Sequence, residues 1–173
     1  DLDIGFDNQS GNEQTVGLRF RDIDIPKNAT ILDAAITFTS KGVSPPGNAI
    51  FTIKGIDQGN VAQFSNTADD ITSRPTTSAR TVWNSEEWNT GGVAFESDDL
   101  TPIVQEIVNR GDWVSGNTMG FVIGCSSTPC NSRVAETADG DAAKSPRIRI
   151  IYESVFTDPF KTNREAIIEQ VQA

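Results

Sequence analysis

At 173 residues the chain has the length of one domain with a sizeable hydrophobic core. Its formal net charge of −10 at pH 7 argues against nucleic acid as a partner, because phosphate binding needs clustered Lys and Arg. The absence of histidine excludes Ser-His-Asp and Cys-His nucleophile systems and imidazole metal ligands, and no apolar run approaches the roughly 18 residues of a membrane-spanning helix.

Taken in chain order, the apolar residues recur mostly with period two, the spacing of a strand with one buried face. Ile4 and Phe6 form a short opening strand. In "TVGLRFR" Val16, Leu18 and Phe20 alternate with Gly17, Arg19 and Arg21; in "ILDAAITFTS" Ala34, Ile36 and Phe38 alternate with Ala35, Thr37 and Thr39. In "AIFTIKGID" Phe51 and Ile53 point one way, Thr52 and Lys54 the other. "NVAQFS" is compatible with a helical turn. "RTVW" reads as a strand and "SEEW" as the turn after it. "TMGFVIG", "SRVAETA" and "PRIRIIYE" supply further strands, separated by turn clusters such as "PKNAT", "KGVSPPGN" and "ADGDAAKSP". One helix interrupts in "DLTPIVQEIVNRGDW": Thr101 can cap it, Pro102 suits its first position, Gly111 can end it, and Ile103, Val104, Ile107 and Val108 form one apolar stripe. The pattern predicts a mainly β fold, an antiparallel jelly-roll-like β-sandwich over residues 1–152 with one short α-helix. Residues 153–173 read as a C-terminal extension, an assembly arm or linker, in which "REAIIEQVQA" is helix-compatible.

Chemistry-bearing residues are few. Cys125 and Cys130 in "CSSTPC" predict a local loop disulfide worth roughly 2 kcal/mol, hence an oxidising, extracellular compartment. A chain opening on Asp1 is expected for a secreted protein whose leader has been removed. In "TVWNSEEWNTGG" Trp83 is expected in the core, whereas Trp88 beside Gly91 and Gly92 is the candidate for an exposed ring that stacks on a sugar. Glu86 and Glu87 can accept hydrogen bonds from sugar hydroxyls; being adjacent, they diverge and make a poor catalytic pair. Glu136, Asp139 and Asp141 cluster on a loop suited to calcium. Arg133 and the strand residues Arg19 and Arg21 are expected in cross-strand ion pairs with Asp22 or Glu136. Asn8 in "NQS" and Asn28 in "NAT" are glycosylation acceptors if the source glycosylates such sites.

The stretches "VGLRFRDIDIPKNATILDAAITFTS", "SRPTTSARTVWNSEEW", "VQEIVNRGDWVSGNTMGFVI" and "SRVAETADGD" together resemble a module repeated in large secreted proteins of aquatic bacteria and some algae. More distantly, the stretch from Asp1 to Tyr152 is similar to DNRLRE-type β-sandwich domains, some of them family 96 carbohydrate-binding modules. The resemblance implies a non-catalytic extracellular β-sandwich.

Two functional expectations follow. The first is a structural subunit of a filament, surface layer or matrix, joining copies of itself or neighbouring matrix proteins through its terminal segments, with Phe156, Phe160, Ile167, Ile168 and Val171 as assembly residues. The second is a carbohydrate-binding or adhesive module. Neither is an enzyme, and structural calcium is the one cofactor expected.

Overall fold

The computed structural model describes residues 1–7, 10–154 and 164–171, the last of these through backbone pairing. Among the described residues eleven strands run in chain order: β1 Leu2–Asp7, β2 Asn12–Gln14, β3 Val16–Ile23, β4 Thr30–Thr39, β5 Ala49–Ile56, β6 Thr76–Ser85, β7 Ala94–Glu96, β8 Asn117–Cys125, β9 Arg133–Ala135, β10 Arg147–Ser154 and β11 Arg164–Val171. Helix α1 spans Thr101–Val108, between β7 and β8; a second short helix, α2, spans Ala138–Asp141 and runs into a 3-10 turn at Ala142–Lys144. The strands form three antiparallel sheets, ordered β3-β8-β5-β6, β11-β10-β4-β7 and β2-β1-β9.

The two four-stranded sheets face each other as the period-two pattern requires. Leu18, Phe20, Phe51, Ile53, Trp83, Phe121 and Ile123 line one inner face, and Ala34, Ile36, Phe38, Ile148 and Ile150 the other, all buried. The Phe38 and Trp83 rings join the sheets, stacked with centroids 5.1 Å apart. Asp22 takes a left-handed φ of 57° where the β3–β8 register shifts between Phe20 and Ile23, which returns Ile23 to the core.

Helix α1 closes one side. Ile103, Val104, Ile107 and Val108 are fully buried, as their spacing predicts. The helix comes so close to β5 that a Cβ on Gly55 would lie 2.7 Å from Ile103 Cγ2 and 2.8 Å from Ile107 Cδ1. The Glu106 carboxylate accepts from the N–H groups of Ser78 and Ala79, 2.8 and 2.7 Å away, and so occupies part of the free edge of β6. Thr101 is not the cap. It is the first helical residue, its N–H donates to Asp99 Oδ1 (2.8 Å), and its hydroxyl is buried without a partner among the described residues. Trp113, beyond the helix, is buried and donates from Nε1 to the Ile25 carbonyl at 3.0 Å.

Three other expectations are corrected. The "NVAQFS" stretch is irregular rather than helical, because its backbone groups serve the neighbouring sheet: Val61 donates to the Thr118 carbonyl and accepts from Arg19. Among the described residues there are two short α-helices rather than one. Segment 164–171 is a strand instead of a helix, paired antiparallel with β10 from Arg147↔Val171 to Ser154↔Arg164, because the β10 edge offers it a full ladder of backbone partners. Ile167, Ile168 and Val171 therefore sit on an outermost strand. Asn8, Phe156 and Phe160 lie outside the described residues.

Candidate functional site

Residues 57–75 form a long connection between β5 and β6 that folds back over the outer face of the β3-β8-β5-β6 sheet. Two glycines let it approach. A Cβ on Gly120 would lie 3.0 Å from Val61 Cγ1, and one on Gly17 would lie 2.7 Å from the Phe64 ring. Arg74 holds the loop in shape: Nη1 donates to the Ala62 carbonyl (2.7 Å), Nη2 to Gln63 (3.0 Å) and to the Asp70 carboxylate (3.0 Å), and its guanidinium lies 4.6 Å from the Phe64 ring centroid. The Asp70 carboxyl is held below the usual carboxylate range, first by the Ser65 N–H and then by Arg74.

The loop covers only part of the sheet. What it leaves open is a groove of about 600 Å³, floored by Thr52, Lys54, Arg80, Val82, Val122 and Gly124 and walled by Thr72 and Arg74. Thr15, Thr76, Cys125 and Ser126 complete it, so its lining holds three cations, several hydroxyls and no carboxylate. In a chain of net charge −10 this is a local reversal of sign.

Lys54 and Arg80 are directly opposed in the β5–β6 register. Like charges so placed repel, and among the described residues neither has an ion-pair partner. Beside the groove, burial lowers the pKa of Arg19, with Arg74 and then Arg21 adding repulsion. Arg19, Lys54, Arg74 and Arg80 thus lie at one sheet face, and of these four only Arg74 has a carboxylate partner, Asp70, among the described residues. The Cys125–Cys130 disulfide closes the loop at the groove's end, as the spacing predicts.

No family model matches the chain, and neither a curated protein nor a solved structure matches it.

The residues singled out in sequence lie elsewhere and do not form one site. Trp83 is in the core. Trp88 is fully buried too, which corrects the expectation of an exposed stacking ring. Its N–H donates to Ser44 Oγ (2.9 Å) and its carbonyl accepts from Ser44 N (2.8 Å), which draws the residue back between the sheets, where its ring stacks on Phe95 at 5.0 Å. Glu86 is exposed, whereas Glu87 Oε2 accepts from the Gly47 N–H (3.0 Å) and faces a different segment.

Glu136, Asp139 and Asp141 fall in and beside α2. Asp141 pairs with Lys144 at 2.9 Å and accepts from the Ala143 N–H; Glu136 lies 4.0 Å from Lys41. Among the described residues no three His, Cys, Asp or Glu side chains are grouped to hold a metal ion. Arg133 makes no ion pair with Glu136 but is wholly buried and bonded to carbonyls. Arg19 likewise bonds a carbonyl, that of Val61, at 2.8 Å. Asn28 is exposed, in a turn with φ of 61°.

No local sequence motif marks Lys54, Arg74 and Arg80 as site residues. Alternation places Lys54 on an outer face, opposite to Phe51 and Ile53, but no local pattern pairs it with Arg80 or brings Arg74 over from the loop.

Proposed function

We propose that this chain is a non-catalytic extracellular module that binds an anionic polysaccharide in the groove on the β3-β8-β5-β6 sheet. The observation that carries this reading is that Lys54 and Arg80, opposed in register and without an ion-pair partner among the described residues, lie on the floor of a groove lined by no described carboxylate. An anionic polymer relieves their mutual repulsion, and the flanking Thr and Ser hydroxyls offer it donors and acceptors. A volume of about 600 Å³ suits a few sugar rings held at the surface rather than an enclosed small molecule. The family resemblance and the disulfide support an extracellular setting.

The test is binding of the intact chain to a polyuronate, a sulfated polysaccharide and neutral dextran, compared with the Lys54→Ala/Arg80→Ala variant. Saturable binding to a charged polymer that the variant loses supports the reading. Equal binding to dextran, or an unaffected variant, refutes it.

A second reading has its own observation. β11 is an outermost strand added to β10 over eight residues. The same ladder formed with the β10 of another copy would link subunits into a filament or matrix. Deleting residues 154–173 should then abolish self-association on size exclusion and any polymer seen by electron microscopy. Oligomers that survive the deletion remove the arm from the account.

A further inference from the structure

The floor of the groove carries its charge on one half only. Two rows of residues cross the sheet in register: Arg80 of β6, Lys54 of β5 and Val122 of β8 form one, and Val82, Thr52 and Gly124 the other. Both cations stand on β5 and β6, whereas on β8 the rows end in an apolar side chain and in no side chain at all. A Cβ on Gly124 would meet only Thr15 Oγ1, 4.0 Å away, so the floor sinks there into open space. Beyond Thr15 the sign reverses. Thr15 and Thr72 border both the groove and a second hollow of about 320 Å³, which is lined by Glu13, Asp69 and Asp70. Asp70 is paired with Arg74, but Glu13 and Asp69 are exposed and have no ion-pair partner among the described residues. Neighbouring strands lie about 4.8 Å apart, so the path from Lys54 on β5, across β8, to Thr15 at the start of β3 is roughly 10 Å long. Along it the surface runs from positive through uncharged to negative.

We propose that the groove selects a polysaccharide charged on alternate residues, with an anionic sugar over Lys54 and Arg80 and its uncharged neighbour over Gly124, against Thr15. The inference rests on the reading of the groove as a polyanion site and specifies the polymer. A chain charged on every residue would bring its next anion onto β8, where no cation meets it and Glu13 and Asp69 repel it. A wholly neutral chain leaves Lys54 and Arg80 opposed without relief. An uncharged ring suits the middle of the path. Its C–H face can lie on Val122 and the Gly124 depression, and its hydroxyls can bond those of Thr15, Thr52 and Thr72. Specificity then comes from repelling the wrong polymer as well as attracting the right one. Gly124 is the specificity-determining position, because any side chain there occupies the space of the neutral ring.

The test is titration calorimetry of the full chain, at one ionic strength, with four polymers. Hyaluronan and κ-carrageenan carry one carboxylate or one sulfate ester per disaccharide; polygalacturonate and dextran sulfate carry the same groups on every residue. Compared per anionic group, at least one of the first two is expected to bind about tenfold tighter than its densely charged counterpart, and which one does so tells carboxylate from sulfate. Gly124→Val should weaken that binding about tenfold, leave the densely charged polymers unaffected, and melt no lower than the wild type, since the new side chain enters open space. Glu13→Gln/Asp69→Asn, in which Asn keeps the left-handed φ of 62° at position 69, should strengthen binding of the densely charged polymers and narrow the preference. Equal affinity for both charge spacings overturns the inference, as does a preference that neither variant changes. If Lys54→Ala/Arg80→Ala still abolishes binding in those cases, the polyanion reading stands without it. Failure of all four polymers to bind overturns both.

Discussion

Arg133 holds Ser85 by both its ends: Nη2 donates to the Ser85 carbonyl at 3.0 Å, and Nε to its hydroxyl at 3.2 Å. The same guanidinium also reaches the carbonyls of Glu86 (2.8 Å), Gly47 (2.7 Å) and Ser132 (2.8 Å). One buried cation thereby pins β9, the end of β6 and the turn before β5 to each other. Burial lowers its pKa from the ordinary value, and Glu87 opposes that shift. Arg133→Lys retains the charge but not the planar fork of donors, so several buried carbonyls lose their partners. The expected loss is about 2–4 kcal/mol of unfolding free energy in urea titrations, with Arg133→Ala at least as severe. A loss within error of zero contradicts the pinning role.

Lys54 and Arg80 oppose each other in register without a carboxylate between them. Removing either charge should stabilise the fold slightly, by about 0.2–1 kcal/mol, while weakening polyanion binding. The two effects have opposite signs, which is the mark of a site maintained against stability. Thermal melts and binding isotherms of Lys54→Ala measure both. Added salt should weaken the wild-type interaction steeply and raise the wild-type melting temperature more than the variant's, because screening relieves the repulsion.

Gly17 admits the ring of Phe64, which would stand 2.7 Å from a Cβ at that position. Gly17→Val should push the 57–75 loop off the sheet, and with it Thr72 and Arg74 from the groove wall. The inward face of β3 is untouched by the change. Polyanion affinity is therefore expected to fall more than stability does, as read by paired isotherms and melts.

Asp70 links acidity to the same loop. Its folded pKa is depressed, by the Ser65 N–H first and Arg74 next. A depressed carboxyl contributes stability above its unfolded pKa of about 3.9, and that contribution is lost as pH falls from there through the folded value. Asp112 behaves alike, with Arg110 as the main cause. Asp70→Asn should leave less stability to lose below about pH 4, so its pH–stability curve is flatter there than the wild type's. Identical slopes in acid denaturation speak against the link.

The Cys125–Cys130 bridge closes a short loop at the end of β8, where Cys125 and Ser126 border the groove. Reduction, or the Cys125→Ser/Cys130→Ser variant, should cost roughly 2 kcal/mol of stability. Because Ser126 Oγ lies 2.6 Å from Thr52 Oγ1 on the groove floor, polyanion affinity should fall with it. Calorimetry with and without reductant separates the two effects.

The sequence alone determined which residues of most strands face inward. Val16, Leu18 and Phe20, Ala34, Ile36 and Phe38, and Phe51 and Ile53 are all in the core as alternation requires, since a strand's side chains change face at every residue. It likewise determined the apolar face of α1 and the disulfide, both local in spacing. The short strands β2 and β7, three residues each, are too brief to show a period. β11 carries a spacing compatible with either a helix or a strand, and pairing with β10 decides between them. Trp88 reads as a turn residue until Ser44, distant in sequence, and Phe95 of β7 enclose it. Only the tertiary structure decided that Lys54 meets Arg80, that loop 57–75 leaves a groove above them, and that the Trp88 indole N–H ends without an acceptor among the described residues. Register and loop placement depend on contacts far apart along the chain, which the local period of a strand does not encode.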